Sequence, residues 1–290
     1  MPASSPLFAN HFAPLANRYD LLLCDVWGVV HNGREAFPGP CATLARWRGE
    51  QGPVILVSNS PRPCAEVAEQ LDALGVPRDA WSALVTSGDA TRALLAARAP
   101  GPAYAIGPAR DAPLYEGLGL EFAPLDRAAF ISCTGPFDDE MEAPEDYRAQ
   151  FEAGIARGLA MICANPDKVV QRGERLIYCG GALAELYQAM GGEVVMAGKP
   201  HPPIYAASLA RAAELAGHRI DRRRVLVIGD GVATDLVGAA AQELDALFIA
   251  GGIHAAEARR ADGSLDADAA AALLASHGAR ADYLMDALAP

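Results

Sequence analysis

Short apolar runs alternate along the chain with longer stretches of helical periodicity. The runs occupy residues 21–26, 54–57, 194–196, 225–228 and 246–249. Near-continuous apolar runs of this length are typical of strands that are covered on both faces of a parallel sheet. Helical periodicity at 64–74 and 203–216, each followed by a glycine suited to a helix end, supplies crossovers between such strands. The alternation predicts an α/β protein with a doubly wound parallel sheet.

The series of core strands stops after residue 57 and resumes only at residue 194. The stretch between has strand candidates of its own at 103–106, 129–132 and 160–163. An inserted domain explains this interruption, and residues 194–196 then form the third strand of the core. We therefore predict a core built from residues 1–86 and 187–290, with an inserted α/β cap domain at 87–186.

Composition narrows the classes of function. The 290 residues carry 24 Lys and Arg against 36 Asp and Glu, a formal net charge of −12, and 51% are hydrophobic. That apolar share is typical of a globular protein, and the acidic balance disfavours nucleic acid as a partner. No run approaches the roughly 20 apolar residues of a membrane span, and residues 1–20 do not resemble a secretory signal. The six cysteines form no metal-ligand pattern. We expect a cytoplasmic protein.

Three polar residues lie at or next to the predicted ends of core strands: Asp25, Ser58 and Asp230. In an open parallel sheet, ligands bind at the carboxyl ends of the strands. A carboxylate embedded in an apolar run is costly to bury unless a cation or several donors accompany it. Two such carboxylates at one sheet edge predict a hard divalent cation, and Mg²⁺ is the best fit.

Four short motifs then stand in a recognisable order and spacing. They are Asp25-Val26-Trp27-Gly28-Val29, Ser58-Asn59, Gly198-Lys199-Pro200 and Gly229-Asp230-Gly231-Val232-Ala233-Thr234-Asp235. Together they resemble the motifs of the haloacid dehalogenase superfamily. The cap inserted between the second and third motifs resembles subclass IIA, the branch of nitrophenyl-phosphatases and of sugar- and nucleotide-phosphatase-like proteins. Val85-Thr86-Ser87 and Asn165-Pro166-Asp167 also look like that subclass.

The resemblance implies a metal-assisted nucleophile. Asp25 would attack phosphorus and form an aspartyl-phosphate. The carboxylates of Asp25 and Asp230 and the main-chain carbonyl of Trp27 would hold Mg²⁺. Asp235, with Thr234 beside it, would brace the loop that carries Asp230 or bind a water on the metal. A plain helix cap at Thr234 and Asp235 is the alternative.

The resemblance also implies a phosphate site. Ser58, the main-chain amide of Asn59 and the Lys199 ammonium would bind the oxygens of the transferring phosphoryl group. Ser58 has a second interpretation, as the cap of a helix that begins near residue 61. In the cap domain, Asn165 and Asp167 are candidate substrate contacts, although an ordinary Asn-Pro-Asp turn is an equal alternative.

One position departs from the usual phosphatase motif. Two residues after the nucleophile, where the family has an aspartate that acts as general acid and base, this chain has Trp27, which cannot take that part. Such a group contributes about 10²–10⁴-fold in rate, and alkyl phosphates need it more than aryl or acyl phosphates do. His31 is a candidate substitute acid, or else a histidine on a hairpin surface.

Two functions follow from these residues. The first is a Mg²⁺-dependent phosphohydrolase whose cap closes over a small phosphorylated metabolite. The second is a catalytically impaired relative that binds Mg²⁺ and a phosphorylated ligand as a sensor or partner protein. Because many members of the subclass pair through their caps, the resemblance also implies a homodimer.

Overall fold

A computed structural model describes residues 6–9, 11–172, 175–260 and 262–290. In chain order its strands are β1 Leu7–Phe8, β2 Leu21–Asp25, β3 Val54–Ser58, β4 Ala83–Thr86, β5 Ala103–Ile106, β6 Phe130–Cys133, β7 Met161–Cys163, β8 Val169–Arg172, β9 Arg175–Tyr178, β10 Val194–Met196, β11 Val225–Gly229, β12 Asp245–Ile249 and β13 Tyr283–Met285. Its α-helices are α1 Ala13–Ala16, α2 Pro38–Glu50, α3 Cys64–Ala73, α4 Ser87–Ala96, α5 Arg148–Ala156, α6 Gly180–Ala189, α7 Pro202–Ala216, α8 Val237–Ala241 and α9 Ala267–Ser276.

The chain divides into two compact units. Unit 1 comprises Met1–Ser58, Ala68–Val85 and Tyr205–Pro290, and unit 2 comprises Asn59–Val67 and Thr86–Ile204. Each unit is built around a parallel sheet of its own. Among the described helices, none combines the length and the apolar character that crossing a bilayer requires.

The sheet of unit 1 has the strand order β1-β13-β12-β11-β2-β3-β4. Adjacent strands are parallel throughout the stretch from β13 to β3, that is, in the pairs β13–β12, β12–β11, β11–β2 and β2–β3. Every residue of β2, β3 and β11 is buried, which is why these strands are almost unbroken apolar runs in the sequence. Chain order runs from β2 to β4 on one side and from β11 to β13 on the other. The winding therefore reverses between β2 and β11, and such a switch point is where α/β sheets bind ligands.

Unit 2 is a second α/β layer with its own core. Its four parallel strands lie in the order β10-β7-β6-β5. Strands β8 and β9, which follow β7 in the chain, form a separate antiparallel pair. Ile131, Phe151, Met161 and Tyr187 are fully buried in one cluster of this unit. The prediction of a doubly wound parallel-sheet core with an inserted α/β domain is confirmed.

One predicted strand lies in a different sheet. The sequence pattern assigned residues 194–196 to the core, but β10 pairs in parallel with β7 and so belongs to the sheet of unit 2. All three of its residues are only half-buried, as expected at the edge of a sheet. An apolar run predicts a strand but not its partner, because long-range contacts decide which strand lies beside it.

Candidate functional site

Two aspartates meet at the switch point of unit 1. Asp25 is the last residue of β2, and Asp230 comes directly after β11. The two strands pair in parallel with Cys24 opposite Ile228, so the two chains leave the sheet at the same edge. Asp25 is 7% exposed and Asp230 is 5% exposed. The topology therefore brings together the two carboxylates that the sequence placed at strand ends.

A third carboxylate joins them. Asp235 is buried in the wide helical turn Val232–Leu236, which begins two residues after Asp230. One oxygen each from Asp25, Asp230 and Asp235 lie within 4.8 Å of one another. We call these three side chains the carboxylate cluster. Three buried negative charges at this spacing repel each other, and a divalent cation relieves that repulsion.

The surroundings of Asp230 fit a small hard cation. A Cβ atom on Gly28 would lie 2.1 Å from Asp230 Oδ2, and one on Gly252 would lie 2.0 Å from the same oxygen. Only glycines permit this close approach, and Gly28 also has a φ of +89°, which favours glycine. The Ile253 N–H donates to Asp230 Oδ2 at 2.8 Å. A donor set made of carboxylate oxygens matches the preference of Mg²⁺.

Asp235 is held by the main chain of its own loop. Its Oδ2 accepts from the Gly231 N–H at 3.2 Å, and the Thr234 hydroxyl lies 3.5 Å from the same oxygen. A Cβ on Gly229 would lie 2.2 Å from Asp235 Cγ, so the carboxylate packs directly on the strand end. This arrangement lets Asp235 stiffen the loop that carries Asp230.

The loop after Asp25 holds the indole of Trp27 at the position where the resemblance implies an acid. A Cβ on Gly33 would lie 2.5 Å from the Trp27 ring, so the indole covers that glycine. The ring centroids of Trp27 and His31 lie 5.0 Å apart in an edge-to-face arrangement. The Gly28 N–H donates to the His31 carbonyl at 2.8 Å, which closes the turn. The loop is therefore packed around its aromatic residues.

His31 is buried, contrary to the interpretation of a surface histidine. It is 2% exposed, and its Nδ1 accepts from the Gly33 N–H at 2.9 Å. Burial lowers the pKa of His31 to about 4, because desolvation disfavours the imidazolium. The side chain is therefore neutral near pH 7. A neutral imidazole is a far weaker proton donor than an imidazolium, so these surroundings do not favour His31 as the substitute acid.

Ser58 ends the strand next to β2. It is the last residue of β3, 9% exposed, and β3 pairs with β2 so that Val57 lies opposite Asp25. The alternative interpretation, a cap for a helix near residue 61, is wrong. Helix α3 begins at Cys64, too far along the chain for Ser58 to be its cap residue.

The remaining predicted residues lie in unit 2. The Asn59 side chain contacts both Asp167 and the main chain of Lys199, and we call these three residues the Asn59 network. Lys199 is 3% exposed. Asn165 is 9% exposed, and its Oδ1 accepts from the Asp167 N–H at 3.1 Å, as in an Asx turn. A substrate contact by Asn165 or Asp167 stays a prediction.

Some functional contacts lie beyond what the sequence predicts. The motif implies a role for the main-chain amide of Asn59, whereas the structure shows its side chain hydrogen-bonded to Lys199, 140 residues away. Gly252 and Ile253 contact Asp230, and no local pattern in the sequence marks either residue. For Asn59, the one local sign is its place directly after a serine that ends a strand.

Together, a doubly wound sheet and a buried carboxylate cluster at its switch point define an α/β protein suited to bind a divalent cation. Family models described as haloacid dehalogenase-like hydrolase and HAD-hydrolase-like match residues 22–121 and 196–278. A crystal structure of a haloacid dehalogenase-like hydrolase from Brucella suis is 45% identical, with a TM-score of 0.87 over 97% of this chain and 100% of that one. The chain belongs to the haloacid dehalogenase-like hydrolase family.

Two further comparisons concern phosphatases. The D-glycerol 3-phosphate phosphatase of Mycobacterium tuberculosis is 28% identical over 251 residues, which is 83% of this chain and 66% of that protein. The crystal structure of a glycerol phosphate phosphatase from the same organism, in complex with magnesium, is 25% identical, with a TM-score of 0.63 over 88% of this chain and 77% of that one. The prediction of a phosphatase-type hydrolase is confirmed.

Proposed function

We propose that this protein is a Mg²⁺-dependent phosphohydrolase that acts on a small phosphorylated metabolite through an aspartyl-phosphate on Asp25. The observation that carries the proposal is the carboxylate cluster, with one oxygen each from three buried aspartates within 4.8 Å. Such a cluster serves no stabilising purpose by itself, because its charges repel. The similarity to a phosphatase from Mycobacterium tuberculosis supports the phosphohydrolase class, and the magnesium in a related structure supports the choice of metal.

The residues of this site have two roles: some would bind the metal, and others hold the loop that carries a metal ligand. Asp25, Asp230 and the Trp27 carbonyl would hold Mg²⁺, while Asp235 and Thr234 keep the loop after β11 in place. When bound, Mg²⁺ would offset the repulsion between the aspartates and an incoming phosphate dianion. Without that charge, a phosphate group would be repelled from this edge of the sheet.

The reaction then uses the side chains at the strand ends. An Asp25 oxygen attacks phosphorus, the bond from phosphorus to the ester oxygen breaks, and its electron pair leaves with that oxygen. Ser58, the Asn59 amide and the Lys199 ammonium bind the other phosphoryl oxygens during the transfer. Water next attacks the phosphorus of the aspartyl-phosphate, which releases phosphate and restores Asp25.

Trp27 shapes the substrate class. Its indole can neither protonate the departing oxygen nor take a proton from the attacking water. Aryl and acyl phosphates, whose leaving groups depart without a proton, are therefore the favoured substrates, and alkyl phosphates are the poorest. The same absence slows hydrolysis of the aspartyl-phosphate, so the phosphorylated enzyme accumulates during turnover.

The deciding experiment compares p-nitrophenyl phosphate hydrolysis by the purified protein and by Asp25→Asn, with Mg²⁺ present. We expect the substitution to abolish turnover, because an amide is not a nucleophile at phosphorus. Asp20→Asn is the matched control, since Asp20 directly precedes the same strand and pairs with Arg224. Activity that survives in Asp25→Asn would refute the proposed nucleophile.

A second candidate function is a protein that binds Mg²⁺ and a phosphorylated ligand without turnover. The observation that favours it is the packing of Trp27 over Gly33 beside a buried, neutral His31, because neither of these two side chains supplies a protonated acid near pH 7. Phosphate-dependent binding by a protein that hydrolyses neither aryl nor acyl phosphates would select this candidate. Measurable turnover that depends on Asp25 selects the enzyme.

A further inference from the structure

The Asn59 side chain is bonded to the main chain of Lys199 in both directions. The Lys199 N–H donates to Asn59 Oδ1 at 2.8 Å, and Asn59 Nδ2 donates to the Lys199 carbonyl at 3.1 Å. Because the main-chain N–H only donates and the carbonyl only accepts, these partners fix which way the Asn59 amide points. One buried side chain thus serves both polar main-chain groups of the lysine.

The second Nδ2 hydrogen of Asn59 goes to a carboxylate. Asn59 Nδ2 donates to Asp167 Oδ1 at 2.8 Å. Asp167 is itself held by its turn, because its N–H donates to Asn165 Oδ1 at 3.1 Å and its carbonyl accepts from the Gly181 N–H at 3.0 Å. A bond to an ionised acceptor is stronger than one between neutral groups. Asp167 therefore keeps the Asn59 amide oriented.

Glycines allow close packing at both ends of the Asn59 network. A Cβ on Gly198 would lie 2.7 Å from Asn59 Oδ1 and 2.4 Å from the hydroxyl of Ser87. A Cβ on Gly181 would lie 2.1 Å from the Pro166 carbonyl. The main chain thus approaches both the Asn59 amide and the Asn-Pro-Asp turn directly. Short contacts of this kind leave little room for the lysine main chain to shift.

We propose that Asp167, acting through Asn59, is a positioning residue for Lys199. The inference rests on the proposed function, in which the Lys199 ammonium binds the phosphoryl oxygens. Asp167 orients the Asn59 amide, and that amide fixes the main chain of Lys199. The Lys199 side chain therefore extends toward the phosphoryl group from a main chain that does not shift. In this role the Asn-Pro-Asp turn contributes to phosphoryl binding through Lys199, and a direct substrate contact by the turn is not required. A displacement of about 1 Å at a catalytic group can lower the rate about 10²-fold.

Inhibition by inorganic phosphate tests this inference, because phosphate has no leaving group. In Asp167→Ala we expect competitive inhibition by phosphate to weaken about tenfold, together with a similar fall in kcat/KM for p-nitrophenyl phosphate. Asn59→Ala should have at least the same effect, and the double substitution should add nothing to it. If Asp167 instead contacted the leaving group, phosphate inhibition would stay at the wild-type value, and the proposal would fail.

Two further variants keep the side-chain sizes. Asp167→Asn retains an oxygen that accepts from Asn59, so it should lose less phosphate inhibition than Asp167→Ala. Asn59→Asp places two carboxylates together and should be as damaging as Asn59→Ala. Adding Asp167→Asn to Asn59→Asp restores a donor between the two positions and should recover part of the loss. If the losses of phosphate inhibition from Asn59→Asp and Asp167→Asn simply added in the double variant, the proposal would be contradicted.

Hydrogen exchange at the Lys199 amide gives a test that needs no activity. We expect faster exchange in Asp167→Ala than in wild type, because the bond to Asn59 Oδ1 opens more often. Asp146→Ala is the matched control, since Asp146 also accepts one 2.8 Å bond, from the Ala143 N–H. Wild-type protein that neither hydrolyses nor binds phosphate would refute the proposed function alone. Unchanged exchange in Asp167→Ala would refute the positioning role.

Discussion

The carboxylate cluster of unit 1 is fully buried, and the Asn59 network of unit 2 is buried at Asn59 and Lys199 and half-buried at Asp167, but the electrostatics of the two groups are opposite. The cluster brings three like charges within 4.8 Å. In the network, one neutral amide donates to a carboxylate and exchanges hydrogen bonds with a main-chain peptide. A satisfied network stabilises a geometry, whereas a like-charge cluster stores a free-energy cost that a bound cation can relieve. The contrast distinguishes residues that hold another residue in place, as in the Asn59 network, from residues suited to bind a cation, as in the carboxylate cluster.

The largest expected effect comes from removing one charge from the cluster. Asp230→Asn keeps an oxygen for the Ile253 N–H but loses a metal ligand and a negative charge. We expect Mg²⁺-dependent turnover to fall at least about 10³-fold, since several kcal/mol of charge stabilisation are lost with the metal. The metal-free protein should become more stable by about 1 kcal/mol, because the repulsion is reduced.

The loss of turnover is measured by steady-state rates in the presence of Mg²⁺. The gain in stability is measured by urea unfolding of the metal-free protein in the presence of a chelator. Asn59→Ala provides the contrast, because it should lower stability by about 1–3 kcal/mol through the loss of buried hydrogen bonds. A metal-free Asp230→Asn protein that is less stable than wild type would break the comparison between the two regions.

A smaller effect is expected when an acid is introduced into the loop beside the cluster. Trp27→Asp supplies the missing proton donor and should raise turnover of an alkyl phosphate by about 10²-fold, with a smaller gain for p-nitrophenyl phosphate. Some stability should be lost, because the indole packs over Gly33 and against His31.

Trp27→Phe is the control for the loss of the indole, since it removes volume without adding an acid. Steady-state rates with both substrates give the comparison. Equal gains for alkyl and aryl phosphates, or no gain in a folded variant, would mean that Trp27 does not limit the chemistry.

The smallest effect concerns stability against pH. Burial lowers the pKa of His31 to about 4, so below pH 6.5 the unfolded chain takes up a proton that the folded protein resists. Stability should therefore fall as the pH drops from about 6.5 to about 4, by about 2 kcal/mol at pH 5 from this residue. His31→Asn keeps an acceptor for the Gly33 N–H but cannot titrate, so its metal-free protein should lose about 2 kcal/mol less between pH 7 and pH 5.

Urea unfolding of both proteins at the two pH values measures the difference. His218→Asn is the control, because His218 is exposed and lies two residues beyond the end of α7. The same loss of stability in wild type and in His31→Asn would show that burial of His31 does not govern this pH range.

Much of the fold could be predicted because the burial of a strand on both faces leaves a local trace in the sequence. Strands β2, β3, β11 and β12 are continuous apolar runs, and Asp25 and Asp230 stand out because carboxylates interrupt or end such runs. The partner of β10 could not be predicted, since three half-buried apolar residues fit the edge of either sheet. The domain boundaries at 87 and 186, and the roles of the individual site residues, stay predictions.

The sequence by itself determined the α/β class, the resemblance to the family and the residues at the strand ends, because strand length, apolar periodicity and the order of motifs along the chain can be recognised without knowing any tertiary contact. Only the tertiary structure decided that β10 pairs with β7, that His31 is buried, and that the Asn59 side chain holds Lys199 from 140 positions away. These facts depend on which distant segments meet, and on the desolvation and hydrogen bonding that follow. No local pattern of residues encodes them.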